Sequence, residues 1–111
     1  RAAVPGVPGW VVDTASRKII TDAGYPSFKH GTGHQLGAGN THAPGAAFTL
    51  QYTQDGKEVP EACLEIRKGF VMTIEPRMQV ANGASIEVDG VITDTGFELL
   101  APLQSEIYLI R

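Results

Sequence analysis

A second cysteine is missing. Cys63 is the only one among 111 residues, so an intrachain disulfide is excluded, nothing requires an oxidising compartment, and a cytoplasmic location is the default expectation. No run approaches the roughly 18 to 20 apolar residues of a membrane span, and the first residues lack the charged, apolar and small-residue succession of a signal peptide. Basic clusters are absent too. Nine Lys and Arg stand against twelve Asp and Glu, for a formal charge of -3, which leaves no footprint for a phosphate backbone or an anionic membrane. Neither nucleic acid nor a membrane is therefore an expected partner. The sequence has no Cys-x-x-Cys, no His-Glu-x-x-His, no Gly-x-Ser-x-Gly and no Gly-x-x-x-x-Gly-Lys-Ser/Thr, so several common catalytic and phosphate-binding arrangements drop out.

What is present describes an ordinary globular chain. Hydrophobic residues make up 42% and charged residues 19%, which argues against disorder and for one domain over residues 1–111 with a modest core. The chain opens with Arg1 and an Ala-Ala-Val-Pro-Gly stretch that reads as the interior of a longer polypeptide.

From Trp10 to Ala23 the apolar residues Val11, Val12, Ala15, Ile19 and Ala23 recur at helical spacing, with Asp13, Arg17, Lys18 and Asp22 on other faces. Gly24 stands where a left-handed cap would end this amphipathic helix, and Pro26 follows. Phe48 to Tyr52 is β-prone, Gln54 to Glu58 has turn chemistry, and Pro60 to Ile66 could be helical or extended. The run Phe70 to Glu75, closed by Pro76, predicts a largely buried strand ending in a carboxylate. Further strands are expected at Ala84 to Asp89, Gly90 to Thr93 and Phe97 to Leu100, with turns at Asp89-Gly90 and Asp94-Thr95-Gly96, and Glu106 to Ile110 extends the pattern. One helix ahead of several strands predicts an α+β fold, a helix packed on a curved, mainly antiparallel sheet.

The chemistry concentrates in residues 28–46, which are Gly-rich and hold all three histidines, His30, His34 and His42. Taken singly, each reads as a surface or satisfied core residue. Clustered in one loop-like segment, they read as a site. The glycines between His30 and His34 argue against a regular helix, so their spacing alone does not make them face each other. Glu75 and Glu87 both adjoin residues expected to be buried, where a carboxylate must be paired, protonated or bound to a cation. For Glu87 the alternative is a solvated strand face, because Ser85, Glu87 and Asp89 alternate with Ile86 and Val88. An imidazole with two carboxylates suits Mn, Co, Fe or Zn.

Phe28-Lys29-His30-Gly31-Thr32-Gly33-His34-Gln35-Leu36-Gly37, Thr73-Ile74-Glu75-Pro76 and Ile86-Glu87 occur in an order and spacing that resemble the pita-bread (M24-type) metallopeptidases, the Xaa-Pro aminopeptidases and prolidases. Val12-Asp13, Ala15-Ser16-Arg17, Val91 to Gly96 and Leu99-Leu100 extend the resemblance over most of the chain. It implies the C-terminal half of a pita-bread catalytic domain. By motif His34, Glu75 and Glu87 would be three of five protein ligands to two divalent ions, the other two being aspartates from an earlier strand pair. It also implies metal-assisted hydrolysis of the bond before proline, with Glu75 managing the proton and His30 and His42 contacting substrate and intermediate. A chain with three of the five ligands should hold at most one ion and be nearly inactive.

Ala43, Ser85 and Arg77 depart from the family pattern, in which a carboxylate, an arginine and a glycine are frequent at those places. Two other uses of the fold are therefore open, a metal-free binding or interaction module and a creatinase-like C–N hydrolase. Retention of all three ligand types argues against both. Half of such a fold should expose apolar edges, which implies a homo-oligomer or association with the remaining half-domain.

Overall fold

The computed structural model describes residues 1–39, 41, 42, 44–78 and 85–106. The helix expected from periodicity is present as α1 (Gly9–Asp22). Gly24 N–H donates to Thr21 O at 3.0 Å and Tyr25 N–H to Ile20 O at 3.2 Å, the paired bonds of a Schellman cap centred on the glycine expected to stop the helix.

The buried face of α1 differs from the one the apolar spacing predicts. Ile19 is 72% exposed, whereas Asp13 is wholly buried beside Val12. Two contacts set this rotation. Gly9 presses against the backbone of Ala47 so closely that a β-carbon would meet the Ala47 oxygen at 2.0 Å, and Asp13 is drawn inward by hydrogen bonds from Thr32 and Arg17. Directional polar bonds and a close backbone approach override an apolar stripe of only moderate length.

The strands form two antiparallel groups joined along one line. β1 (Gly33–His34) pairs with β2 (Ala47–Phe48), and β3 (Val71–Ile74), β4 (Val88–Thr93) and β5 (Gly96–Leu99) form a meander. A bridge between Gln35 and Met72, with Leu36 N–H to Val71 O at 2.8 Å and Glu75 N–H to Thr32 O at 2.7 Å, stitches β1 alongside β3. The run 60–66 is helical first and extended afterwards. α2 (Pro60–Cys63) is followed by residues that exchange backbone bonds with the amino-terminal segment, Gly9 N–H to Leu64 O and Ile66 N–H to Val7 O. Ala3, Val12, Ala46, Phe48, Ile66, Met72 and Ile92 fill the core, so every layer contributes to it.

Three local expectations are corrected. No turn forms at Asp89-Gly90, because β4 runs through it, with Thr73 opposite Asp89 and Leu99 opposite Gly90. The glycine there makes room for Phe97 on the neighbouring strand: a β-carbon at position 90 would meet the Phe97 ring at 2.3 Å and Glu98 O at 2.6 Å. The ladder begins at Val88, while Ser85 makes an isolated bridge to Arg77. The β-prone run from Phe48 supplies strand only at Ala47–Phe48, and Tyr52 bridges Glu58 across the expected turn. Ala84 and residues 107–110 lie outside the described residues.

Gly90→Ala should therefore destabilise the chain by about 1–3 kcal/mol, the cost of forcing extra volume into a filled site. Urea unfolding followed by circular dichroism tests this, and an unchanged midpoint would remove Gly90 as a packing requirement.

Candidate active site

The site is assembled where β1 runs between β2 and β3. His34 pairs with Ala47 on one side and on the other donates its backbone N–H to Thr73 Oγ1 at 3.0 Å. The approach to β3 is closer than any side chain on Gly33 would permit, since a β-carbon there would lie 2.0 Å from Thr73 O. Glu75 follows directly after β3. Its N–H is bound to Thr32 O, and Thr73 Oγ1 lies 3.4 Å from its Oε1. Both functional side chains are thus fixed by backbone that is itself tied down.

His34 Nε2 stands 3.5 Å from Glu75 Oε1, and both side chains are partly exposed. The other ring nitrogen, Nδ1, lies 3.1 Å from Gln35 O. A carbonyl oxygen can only accept, so Nδ1 carries the hydrogen and the Nε2 lone pair is directed at the carboxylate. Two acceptors facing each other at that spacing are an arrangement that a cation between them would satisfy. Donors about 2.1 Å from one small cation stand roughly 3 to 3.5 Å apart, so the pair fits two ligands of a single divalent ion. His42 stacks on His34 with ring centroids 4.3 Å apart and planes inclined by 17°.

His30, His34, His42 and Glu75 line one open cavity of about 480 Å³, together with Gly31, Gly33, Thr49, Arg77 and Ser85. Four of the five residues singled out from the sequence are therefore brought together. Glu87 is not among them. It is exposed and lines a separate cavity of about 540 Å³ with Ile86, Asp89, Leu100 and Glu106. Among the described residues no group of three or more His, Cys, Asp or Glu side chains could hold a metal ion. Ala43 lies outside the described residues.

No role was expected of Thr49, nor of Thr73, Asp13 and Arg17 beyond their places in the motifs. Thr73 carried a signal: a hydroxyl in the middle of the apolar run 70–74, wholly buried in the structure, must spend its hydrogen bonds locally, and it spends them on His34 and Glu75. Cys63 takes no part. Its thiol is pushed up from the ordinary value by burial, with the Glu58 carboxylate adding to the effect, which disfavours the thiolate.

Residues 1–94 match metallopeptidase family M24. An uncharacterised peptidase of Staphylococcus haemolyticus is 40% identical over 98 residues, covering 86% of this chain and 24% of that protein. A Xaa-Pro dipeptidase of Lactobacillus delbrueckii subsp. lactis is 30% identical over 112 residues, covering 98% of this chain and 27% of that one. The crystal structure of an X-Pro aminopeptidase from Thermotoga maritima superposes with a TM-score of 0.77 at 28% identity, covering 98% of this chain and 28% of that one. The chain thus spans about a quarter of the length of these relatives. With the motifs, the α+β architecture and the matched residues in agreement, the chain belongs to metallopeptidase family M24 and its architecture matches part of the pita-bread fold of the prolidases and X-Pro aminopeptidases.

Proposed function

We propose that these residues form the C-terminal part of the catalytic domain of a metal-dependent exopeptidase that hydrolyses the peptide bond before proline. The observation that carries the reading is the facing pair His34 Nε2 and Glu75 Oε1, 3.5 Å apart in a cavity that also holds His30 and His42. His34 and Glu75 would hold a divalent ion, Mn, Co, Zn or Fe, whose chemistry is to polarise a carbonyl and to make water nucleophilic at neutral pH. Glu75, at the strand end with Thr73 beside it, is placed to take a proton from the attacking water and return it to the leaving amine. His30 Nδ1 contacts Gly31 O, so on the same carbonyl argument its other ring nitrogen is left for a substrate group. His42, stacked on His34, would meet the peptide beside it.

On this reading Glu87, which the register from Ile74–Val88 to the Arg77–Ser85 bridge sets opposite Glu75, would be a third ligand, and two aspartates from beyond these residues would complete a dinuclear centre. Exposed Ile19, Leu64, Leu100 and Leu103 supply apolar surface for the rest of the domain or for a second copy to cover. The substrate class is a proline-containing peptide. Among the described residues no helix is long and apolar enough to cross a membrane, and the single cysteine accords with a cytoplasmic site of action. The position of Glu87 outside the cavity favours one other reading, a metal-free peptide-binding module, which would bind proline peptides equally well in the presence of a chelator.

After dialysis against manganese and then buffer, elemental mass spectrometry should find about one ion on the chain and none on Glu75→Ala. Absence of metal from both would remove the His34–Glu75 pair as ligands. The natural gene product should cleave an Xaa-Pro dipeptide in the presence of manganese, whereas the isolated 111 residues should not. Turnover by the isolated chain would show that the aspartates are dispensable.

A further inference from the structure

Outside the cavity, one polar cluster is built to a standard that packing does not demand. Asp13 is wholly buried. Its Oδ1 accepts from the Thr32 N–H at 3.1 Å and the Thr32 hydroxyl at 2.7 Å, and its Oδ2 accepts from Arg17 Nε at 2.6 Å. The same guanidinium reaches out with its other nitrogens. Nη1 donates to Ser27 Oγ at 3.1 Å and to Phe28 O, and Nη2 donates to His30 O at 2.7 Å. Its carbon lies 4.2 Å from the Phe28 ring centroid. The Thr32 carbonyl faces the other way and receives the Glu75 N–H.

A buried ion pair of this kind adds little net stability compared with apolar residues of the same volume. What it adds is direction. The segment it grips contains Gly31 and Gly33 and lies ahead of β1; the Thr32 N–H is shared with Phe48 O at 2.6 Å, but the stretch from Phe28 to Gly31 would otherwise retain much backbone freedom. Arg17 fixes the carbonyl end of this segment at Phe28 and His30, and Asp13 fixes the far end at Thr32. From Thr32 the chain enters β1 and His34, and its carbonyl sets the amide of Glu75.

We infer that the Asp13–Arg17 pair of α1 is the positioning device of the site, holding the His30 backbone and, through Thr32, the His34–Glu75 pair in register. Neither residue lines the cavity or touches the reacting atoms. Their contribution is to keep groups that do from wandering by an ångström. The inference rests on the functional reading above for its effect on turnover, but not for its effect on backbone order.

The test is made in the natural gene product. Arg17→Lys preserves the charge facing Asp13 but replaces a three-nitrogen fork by one nitrogen, which cannot bind Asp13, Phe28 O and His30 O together. We expect KM for an Xaa-Pro dipeptide to stay within about twofold while kcat falls by about 10- to 100-fold, the penalty of small misplacement, and Arg17→Met to fall further. Amide hydrogen exchange should accelerate across residues 28–34 while the β3–β4 ladder keeps its protection. Thr32→Val, which removes only the hydroxyl bond to Asp13, serves where Arg17→Met does not fold. Unchanged kcat and unchanged exchange in Arg17→Lys would overturn the inference, as would a kcat loss that merely follows loss of global stability. If the unmutated protein cleaves no peptide, the functional reading fails, and the exchange comparison alone then decides for or against the positioning role.

Discussion

The approach of Gly33 to Thr73 is the constraint on which the rest of the site depends. A single methyl group at position 33 would lie 2.0 Å from the Thr73 carbonyl oxygen, so the two strand groups can merge only with hydrogen there. Once they do, three consequences follow without further design. His34 N–H falls on Thr73 Oγ1, Glu75 N–H falls on Thr32 O, and the side chains of His34 and Glu75 emerge at the same level, 3.5 Å apart. One glycine converts two residues 41 positions apart in the chain into a facing pair.

Element type was legible from the sequence wherever periodicity and termination agreed. α1 had both its spacing and its Gly24 stop, and β3 had an apolar run closed by Pro76, so each was readable with nearly its observed bounds. Gly90 was misread because Asp-Gly commonly marks a turn, whereas here the missing side chain accommodates Phe97 across the sheet. That contact is with a residue on the next strand, and no local pattern encodes it. The same limit applies to the site. His30, His34, His42 and Glu75 could be named from composition and motif, but their convergence depends on the pairing of β1 with β3, which spans nearly forty residues of intervening chain.

The rotation of α1 shows how a polar network can outweigh a hydrophobic one. Burying Ile19 would gain on the order of 1.5–3 kcal/mol, and the spacing of Val11, Ala15 and Ile19 invites it. Turning that stripe inward would carry Asp13 away from Thr32 and free the guanidinium of Arg17 from two carbonyls. The Thr32 hydroxyl and the Phe28 carbonyl, both on buried residues, would then lose those partners, and each buried polar group left unmet costs about 1–3 kcal/mol. With Gly9 already locked against Ala47, the helix has one low-energy rotation. It is the one that leaves Ile19 exposed and the histidine segment gripped.

The same logic of spatial neighbours joins two departures that look unrelated along the sequence. The resemblance leads one to expect an arginine and a glycine where this chain has Ser85 and Arg77. In the fold these two residues are partners across an antiparallel bridge and both line the cavity of His34 and Glu75. Arg77 therefore lines that cavity from the side of the bridge facing Ser85. The two departures thus act on one place, the cavity of His34 and Glu75, and Arg77 brings a cation to its lining.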